Sequence, residues 1–203
     1  MKLIGSLGSP FVRKVRIFAI EKNISFDFEC MDVWNADSEI AHFNPLGKVP
    51  CLLLENGASL IDSRTIIDYF DSINPSAHLI PKAPLDRAVV KTTEALADGI
   101  LDAAILARRE VIFRPPDKQS QEWIERQMEK VDKALGYVSE SMLENRWCHF
   151  DKFSLADIAL GSALDWLKFR LPNYHWEKRH NNLSEYLKKL SLRPSFISTA
   201  PKD

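Results

Sequence analysis

The sequence predicts two parts of different class. Residues 1–77 read as an α/β domain with element order βαβ-ββα, and residues 85–203 as an all-α helical bundle. Three observations carry this reading. Short apolar segments alternate with helical spacing through the first third of the chain. The stretch Asn74 to Pro84 then holds three prolines and little periodicity, with 78–84 as the linker. Beyond it, apolar residues recur only at helical spacing.

Met1 to Leu7 reads as the first strand, loosened at Gly8. Ser9 stands where an N-cap belongs and Pro10 at the first helical position, where a missing N–H costs nothing. Val12, Val15 and Ala19 share one face of the helix, which fades near Glu21-Lys22-Asn23. Phe26, Phe28 and Cys30 alternate with polar residues as a half-buried strand. A strand returning through a helix should lie parallel to the first.

Val33 to Phe43 is a polar loop with room for one helical turn. The run Asn44-Pro45-Leu46-Gly47-Lys48-Val49-Pro50 follows, just ahead of the apolar strand Cys51 to Leu54. Pro50 suits the first position of that strand, and its peptide bond is a candidate for the cis form. Glu55-Asn56-Gly57 makes a hairpin turn and Ala58 to Ile61 the returning strand. Asp62-Ser63 then heads a helix with apolar face Ile66, Ile67, Phe70 and Ile73, Ser63 being the expected N-cap.

In the second part, Asp86 to Phe113 and Lys118 to Leu143 form two long helices joined by a proline turn. Trp123, Ile124, Met128, Val131, Leu135 and Val138 are expected to face inward on the second of these. Ser154 and Asp157 have capping-box spacing, with Phe153 and Ile158 at the staple positions. The helix behind them is apolar nearly all round and should be the buried centre of the bundle. Leu183, Tyr186, Leu187 and Leu190 mark a last amphipathic helix ended by Arg193-Pro194.

Composition narrows the function classes. The 203 residues carry 27 Lys and Arg against 28 Asp and Glu, so no overall field draws the chain to nucleic acid or an acidic membrane. No apolar run approaches the ~20 residues of a membrane span, and the first residues lack the apolar run of a signal peptide. Cys30, Cys51 and Cys148 are odd in number and widely spaced, which argues against a disulfide framework, a metal site or a dithiol centre. The expectation is a metal-free protein of the reducing cytoplasm. Cys30 and Cys51 should be small core residues, and all five histidines should sit at the surface.

With Ser9-Pro10-Phe11, the Asn44 to Pro50 run, Asp62-Ser63 and Phe153-Ser154-Leu155-Ala156-Asp157-Ile158 in this order, the chain resembles a cytosolic glutathione S-transferase. It looks closest to the serine-type, bacterial members. The βαβ-ββα part is then a thioredoxin-like, glutathione-binding domain. The resemblance implies that Ser9 hydrogen-bonds the glutathione sulfur and favours its thiolate. Val49, before cis-Pro50, pairs its backbone with the cysteinyl part of glutathione like an added strand. Asp62 and Ser63 hold the γ-glutamyl end, and Lys48 reaches the glycine carboxylate. Phe11, in the same first turn as Ser9, belongs to the glutathione site and to the wall of an electrophile pocket completed by Leu7, Leu106, Arg109 and Phe113. Asp98 would approach the γ-glutamyl amine of a neighbouring subunit in a homodimer.

The energetics of such a site suffice without a metal or a protein base. A cysteine thiol starts near pKa ~8.5, and lowering it by about two units takes roughly 2.7 kcal/mol. A hydrogen bond to a charged group supplies ~1.5–3 kcal/mol, and a helix N-terminus ~0.3–1. The expected activity is therefore conjugation of glutathione to a small electrophile. The alternatives are a glutathione-dependent isomerase or reductase of narrow substrate range, or a non-catalytic interaction module on the same fold. A serine rather than a cysteine before Pro10 speaks against thiol-transferase chemistry, and no tyrosine precedes Tyr69 to serve a tyrosine-type site.

Overall fold

A computed structural model describes residues 1–33, 35, 38–74, 78–142, 146–149 and 151–202. Residues 75–77, the expected end of the first domain, and Leu143, the expected end of the second long helix, lie outside them. The chain divides into two compact units, Met1–Ile80 with Ser191–Asp203, and Pro81–Leu190. The first contains the sheet; the second is built of helices.

In the sheet unit the elements are β1 (Lys2–Gly5), α1 (Pro10–Glu21), β2 (Asp27–Cys30), α2 (Ile40–Phe43), β3 (Cys51–Leu53), β4 (Ser59–Ile61) and α3 (Ser63–Ile73). The strand order is β2-β1-β3-β4. β1 and β2 pair in parallel, while β3 runs antiparallel to both β1 and β4. The parallel pair follows from the helical crossover, and the β3–β4 hairpin from Gly57, whose φ of 83° suits the turn.

Gly5 has a different task. A Cβ there would lie 2.5 Å from Cγ1 of Val12, so only glycine lets β1 approach α1 this closely. Leu3, Ile4, Val12, Val15, Phe18, Leu52, Ile66, Ile67 and Phe70 are fully buried, each such apolar side chain contributing about 1.5–3 kcal/mol. Ile73, expected on the same face of α3, is exposed. Lys22 closes α1 and is itself buried, donating to Asp71 Oδ1 at 2.6 Å and to the Asn74 carbonyl at 2.5 Å. Asn74 returns a bond from Nδ2 to the Lys22 carbonyl at 2.7 Å, so the C-terminal ends of α1 and α3 are tied together.

The helical unit contains α4 (Pro84–Phe113), α5 (Gln121–Ser141), α6 (Leu155–Arg170), α7 (Trp176–Arg179) and α8 (Asn181–Leu190). α4 packs against α5 and α6, and α6 is buried over most of its length. Its capping box is formed, with the Ser154 N–H donating to Asp157 Oδ2 at 2.7 Å. Asp157 does more than cap. Fully buried, it also accepts from the Cys148 N–H at 2.9 Å and from the Tyr186 hydroxyl at 2.5 Å, which anchors α8 to the start of α6. Trp123, in the first turn of α5 where its backbone N–H donates to the capping Ser120 hydroxyl at 3.2 Å, is exposed rather than inward.

The chain does not end its helices at Arg193-Pro194. Pro194 is instead the first residue of α9 (Pro194–Ser198), a position that its fixed φ favours. α9 groups with the sheet unit, and the buried Phe196 lies beneath the Arg13 guanidinium of α1, 5.4 Å from Cζ to the ring centroid.

Candidate functional site

Strand register brings the predicted residues of the sheet unit to one end of the sheet. Ile4 pairs with Cys51, and Cys51 with Ile61. The segments that follow β1, precede β3 and follow β4 therefore leave the sheet at the same end. These segments carry Ser9, Lys48-Val49-Pro50 and Asp62-Ser63 in turn. Both α1 and α3 begin there, so two helix N-termini with their unpaired N–H groups open at this end. Lys48 adds an exposed cation. The arrangement suits an extended ligand with several negative groups.

Ser9 is half-buried and is the N-cap of α1, its Oγ accepting from the Val12 N–H at 3.4 Å. That bond uses a lone pair of the oxygen. The hydroxyl proton is the part of the group suited to a thiolate, so capping and sulfur binding are compatible in one side chain.

The Val49–Pro50 bond is cis, as the sequence suggested. Among the described residues, neither the N–H nor the C=O of Val49 takes part in the turn and loop backbone hydrogen bonds. The turn before it is held by Asn44, whose Nδ2 donates to the Lys48 carbonyl at 2.7 Å and whose Oδ1 accepts from the Leu46 N–H at 3.0 Å. Gly47 takes a φ of 62° within it.

At the head of α3 the cap is Asp62, not Ser63. Asp62 adopts φ 69° and its Oδ1 accepts from the Arg64 N–H at 2.8 Å. Ser63 is the first helical residue and is buried, which places its N–H among the orphan donors of the first turn. Either residue can cap by type; the helix start at Ser63 leaves the cap to Asp62.

The remaining candidates are placed as follows. Leu7 and Phe11 are half-buried beside Ser9 in the chain. In the helical unit Leu106, Arg109 and Phe113 are exposed on α4. A cavity of about 460 Å³ in that unit uses the neighbouring α4 positions Ala107, Arg108, Val111 and Ile112, with Leu171 and Tyr174. Asp98 is buried on α4 rather than solvated.

Cys51 is buried at the start of β3, and its burial pushes the thiol up, with a bond to Ser59 opposing. Cys30 is exposed at the end of the edge strand β2, contrary to the core position expected of it. His149 is also not a free surface residue, lying 2.7 Å from the Thr93 hydroxyl. Among the described residues no group of three or more His, Cys, Asp or Glu could hold a metal ion, and no helix is long and apolar enough to cross a membrane. The residue that sequence reasoning missed is Asn44. Its signal was present in Asn-Pro-x-Gly, where an asparagine side chain commonly binds the backbone two residues on.

A four-stranded mixed sheet with this site and a separate helical unit defines a thioredoxin-like module joined to an all-α domain. Residues 3–78 match the family description "Glutathione S-transferase, N-terminal domain", and residues 121–189 match "Glutathione S-transferase, C-terminal domain". The chain belongs to the glutathione S-transferase family. It is 40% identical over 201 residues to the uncharacterized GST-like protein YibF of Escherichia coli K12, covering 99% of this chain and 98% of that one. A glutathione S-transferase of Methylobacillus flagellatus, solved with glutathione bound, superposes with a TM-score of 0.96 at 40% identity, covering 99% of each chain. One from Methylobacterium radiotolerans, in complex with glutathione sulfonate, gives 0.95 at 33% identity, covering 100% of this chain and 95% of that one.

Proposed function

We propose that this protein is a serine-type glutathione transferase that conjugates the glutathione thiolate to a small electrophile. The observation that carries the reading is the register that sets the Ser9 N-cap, the Val49–Pro50 cis bond and the first turn of α3 at one end of the sheet. The relatives solved with glutathione or its sulfonate bound support it.

In this reading the γ-glutamyl carboxylate sits on the N–H groups of the first turn of α3, with the Ser63 hydroxyl donating to it. Asp62 offers its second carboxylate oxygen to the γ-glutamyl amine. The cysteinyl backbone pairs with the Val49 N–H and C=O as an added strand, and Lys48 meets the glycine carboxylate. Phe11 borders the same pocket. The thiol then lies against the Ser9 hydroxyl at the N-terminus of α1, where the thiolate gains a charge-assisted hydrogen bond. Its proton leaves to solvent. The sulfur lone pair forms the new S–C bond, and the leaving group departs with its electron pair or, in an addition to an activated double bond, the π pair moves to the neighbouring carbon, which takes a proton from water.

Within the sheet unit, Leu7 and Phe11 beside Ser9 are assigned to the wall of the electrophile pocket. Asp98 is assigned to the γ-glutamyl amine across a homodimer. Sedimentation would check the dimer.

The test is calorimetric titration with glutathione while the thiolate absorbance is followed as pH rises. Saturable binding with a thiol pKa below its free value is the expected result. Binding without a shift would reduce Ser9 to a helix cap. No binding would favour an interaction module and end the transferase reading.

A further inference from the structure

We propose that Asn44 is the positioning residue of the glutathione turn, aiming the Val49 N–H through the peptide unit it shares with Lys48; this inference rests on the glutathione reading given above.

Asn44 is only 2% exposed, although Pro45, Leu46 and Lys48 around it are all exposed. Both ends of its side-chain amide are used. The Leu46 N–H donates to Oδ1 at 3.0 Å, and Nδ2 donates to the Lys48 carbonyl at 2.7 Å. Its backbone is equally engaged. The Asn44 N–H donates to the Ile40 carbonyl at 2.8 Å, and its own carbonyl accepts from the Gly47 N–H at 2.9 Å. One residue therefore holds the chain on both sides of Gly47, the left-handed point at which the turn could otherwise pivot.

The consequence follows from peptide geometry. The Lys48 C=O and the Val49 N–H belong to one planar unit, so fixing the oxygen fixes the direction of the N–H. That N–H is the donor assigned to the cysteinyl carbonyl of glutathione. Asn44 is buried behind the turn and is assigned no contact with the ligand itself. Asparagine suits the position because its amide carries a donor and an acceptor on two separate atoms, Nδ2 for the Lys48 carbonyl and Oδ1 for the Leu46 N–H. Aspartate would keep the acceptor for Leu46 but set an acceptor against the Lys48 carbonyl.

The experiment compares wild type, Asn44→Ala and Asn44→Asp in the full chain. Two quantities are read: the glutathione dissociation constant by calorimetry, and the thiol pKa of bound glutathione at saturation. The expected result is a dissociation constant raised about tenfold in both variants, the scale of one or two lost hydrogen bonds. The bound thiol pKa should stay at the wild-type value, because Ser9 is untouched. Asn44→Asp carries the test should the alanine variant fail to fold.

Wild-type affinity in a folded variant would overturn the positioning role while leaving the glutathione site standing. So would a thiol pKa that moves together with affinity, since the whole site would then have loosened. A wild-type protein that binds no glutathione would overturn both this inference and the function on which it rests.

Discussion

Arg193 grips Glu21 with two hydrogen bonds, Nε to Oε1 at 3.0 Å and Nη2 to Oε2 at 2.6 Å. The Ser195 hydroxyl adds a third, to Oε1 at 2.5 Å. This bidentate pair lashes α9 to the end of α1, with side-chain exposures of 30% for Arg193 and 15% for Glu21. Arg193→Ala should lower stability by about 1.5–3 kcal/mol, the range for hydrogen bonds to charged groups. Urea denaturation measures it. An unchanged midpoint would mean that burial of Phe196 alone holds α9 in place.

Two phenols should ionise late. Desolvation, reinforced by the bond to Asp132, pushes Tyr174 up. Desolvation, then the neighbouring Cys148 and Asp157, pushes Tyr186 well up. In both the folded pKa lies above the unfolded value of about 10. Their contribution to stability is therefore fully present below that pH and is lost as pH rises through the raised value. Ultraviolet titration of the folded protein should show a late component that Tyr174→Phe and Tyr186→Phe each diminish. Its absence while the circular dichroism stays native would contradict the burial argument.

The three thiols should separate by reactivity. Cys30 is exposed, whereas burial pushes the Cys51 thiol up and the Cys148 thiol up further. Since the thiolate is the nucleophile, an alkylating agent near neutral pH should label Cys30 first. Cys51 and Cys148 should follow only in denaturant. Mass spectrometry of the labelled peptides decides it, and rapid labelling of Cys51 in the native protein would contradict its burial.

Ser9→Ala and Ser63→Ala should fail in different ways. Losing the Ser9 hydroxyl removes a bond that strengthens as sulfur becomes charged. Turnover should fall on the order of tenfold to a hundredfold, with glutathione affinity nearly kept. Losing the Ser63 hydroxyl removes a bond made equally before and during reaction, so affinity should weaken instead. Steady-state kinetics with an aryl halide electrophile, beside glutathione titration, separates the two. Equal effects on both parameters in both variants would undo the assignment.

Much of this was legible because local chemistry and tertiary structure agree. Ser9-Pro10 reads as a helix start and is one. Pro50 ahead of Cys51 reads as the edge of a strand, and the strand begins there. Ser154 and Asp157 announce their capping box by spacing alone. The failures fall where a long-range partner decides. Nothing near Pro194 says that the next turn will pack on α1, 172 residues away from Glu21 by chain count at its Arg193 anchor. Asp62 caps α3 because the helix begins one residue earlier than the serine suggests, at Ser63 itself, and pattern does not fix a boundary to one residue. Asn44 lay inside a recognised motif, yet its role depends on a burial that pattern does not show.

The return of α9 to the sheet unit also orders events on the ribosome. Chains are made N-terminus first, at about 5–20 residues per second. Glu21 is thus exposed to solvent, its clamp unmade, until the whole of Pro81–Leu190 has been synthesised and Arg193 emerges. The sheet unit, although encoded first, is completed last, on the order of ten seconds after Ile80 has been made at that pace. During this interval the nascent chain carries an uncovered face on α1, where Arg13 and its neighbours await Phe196.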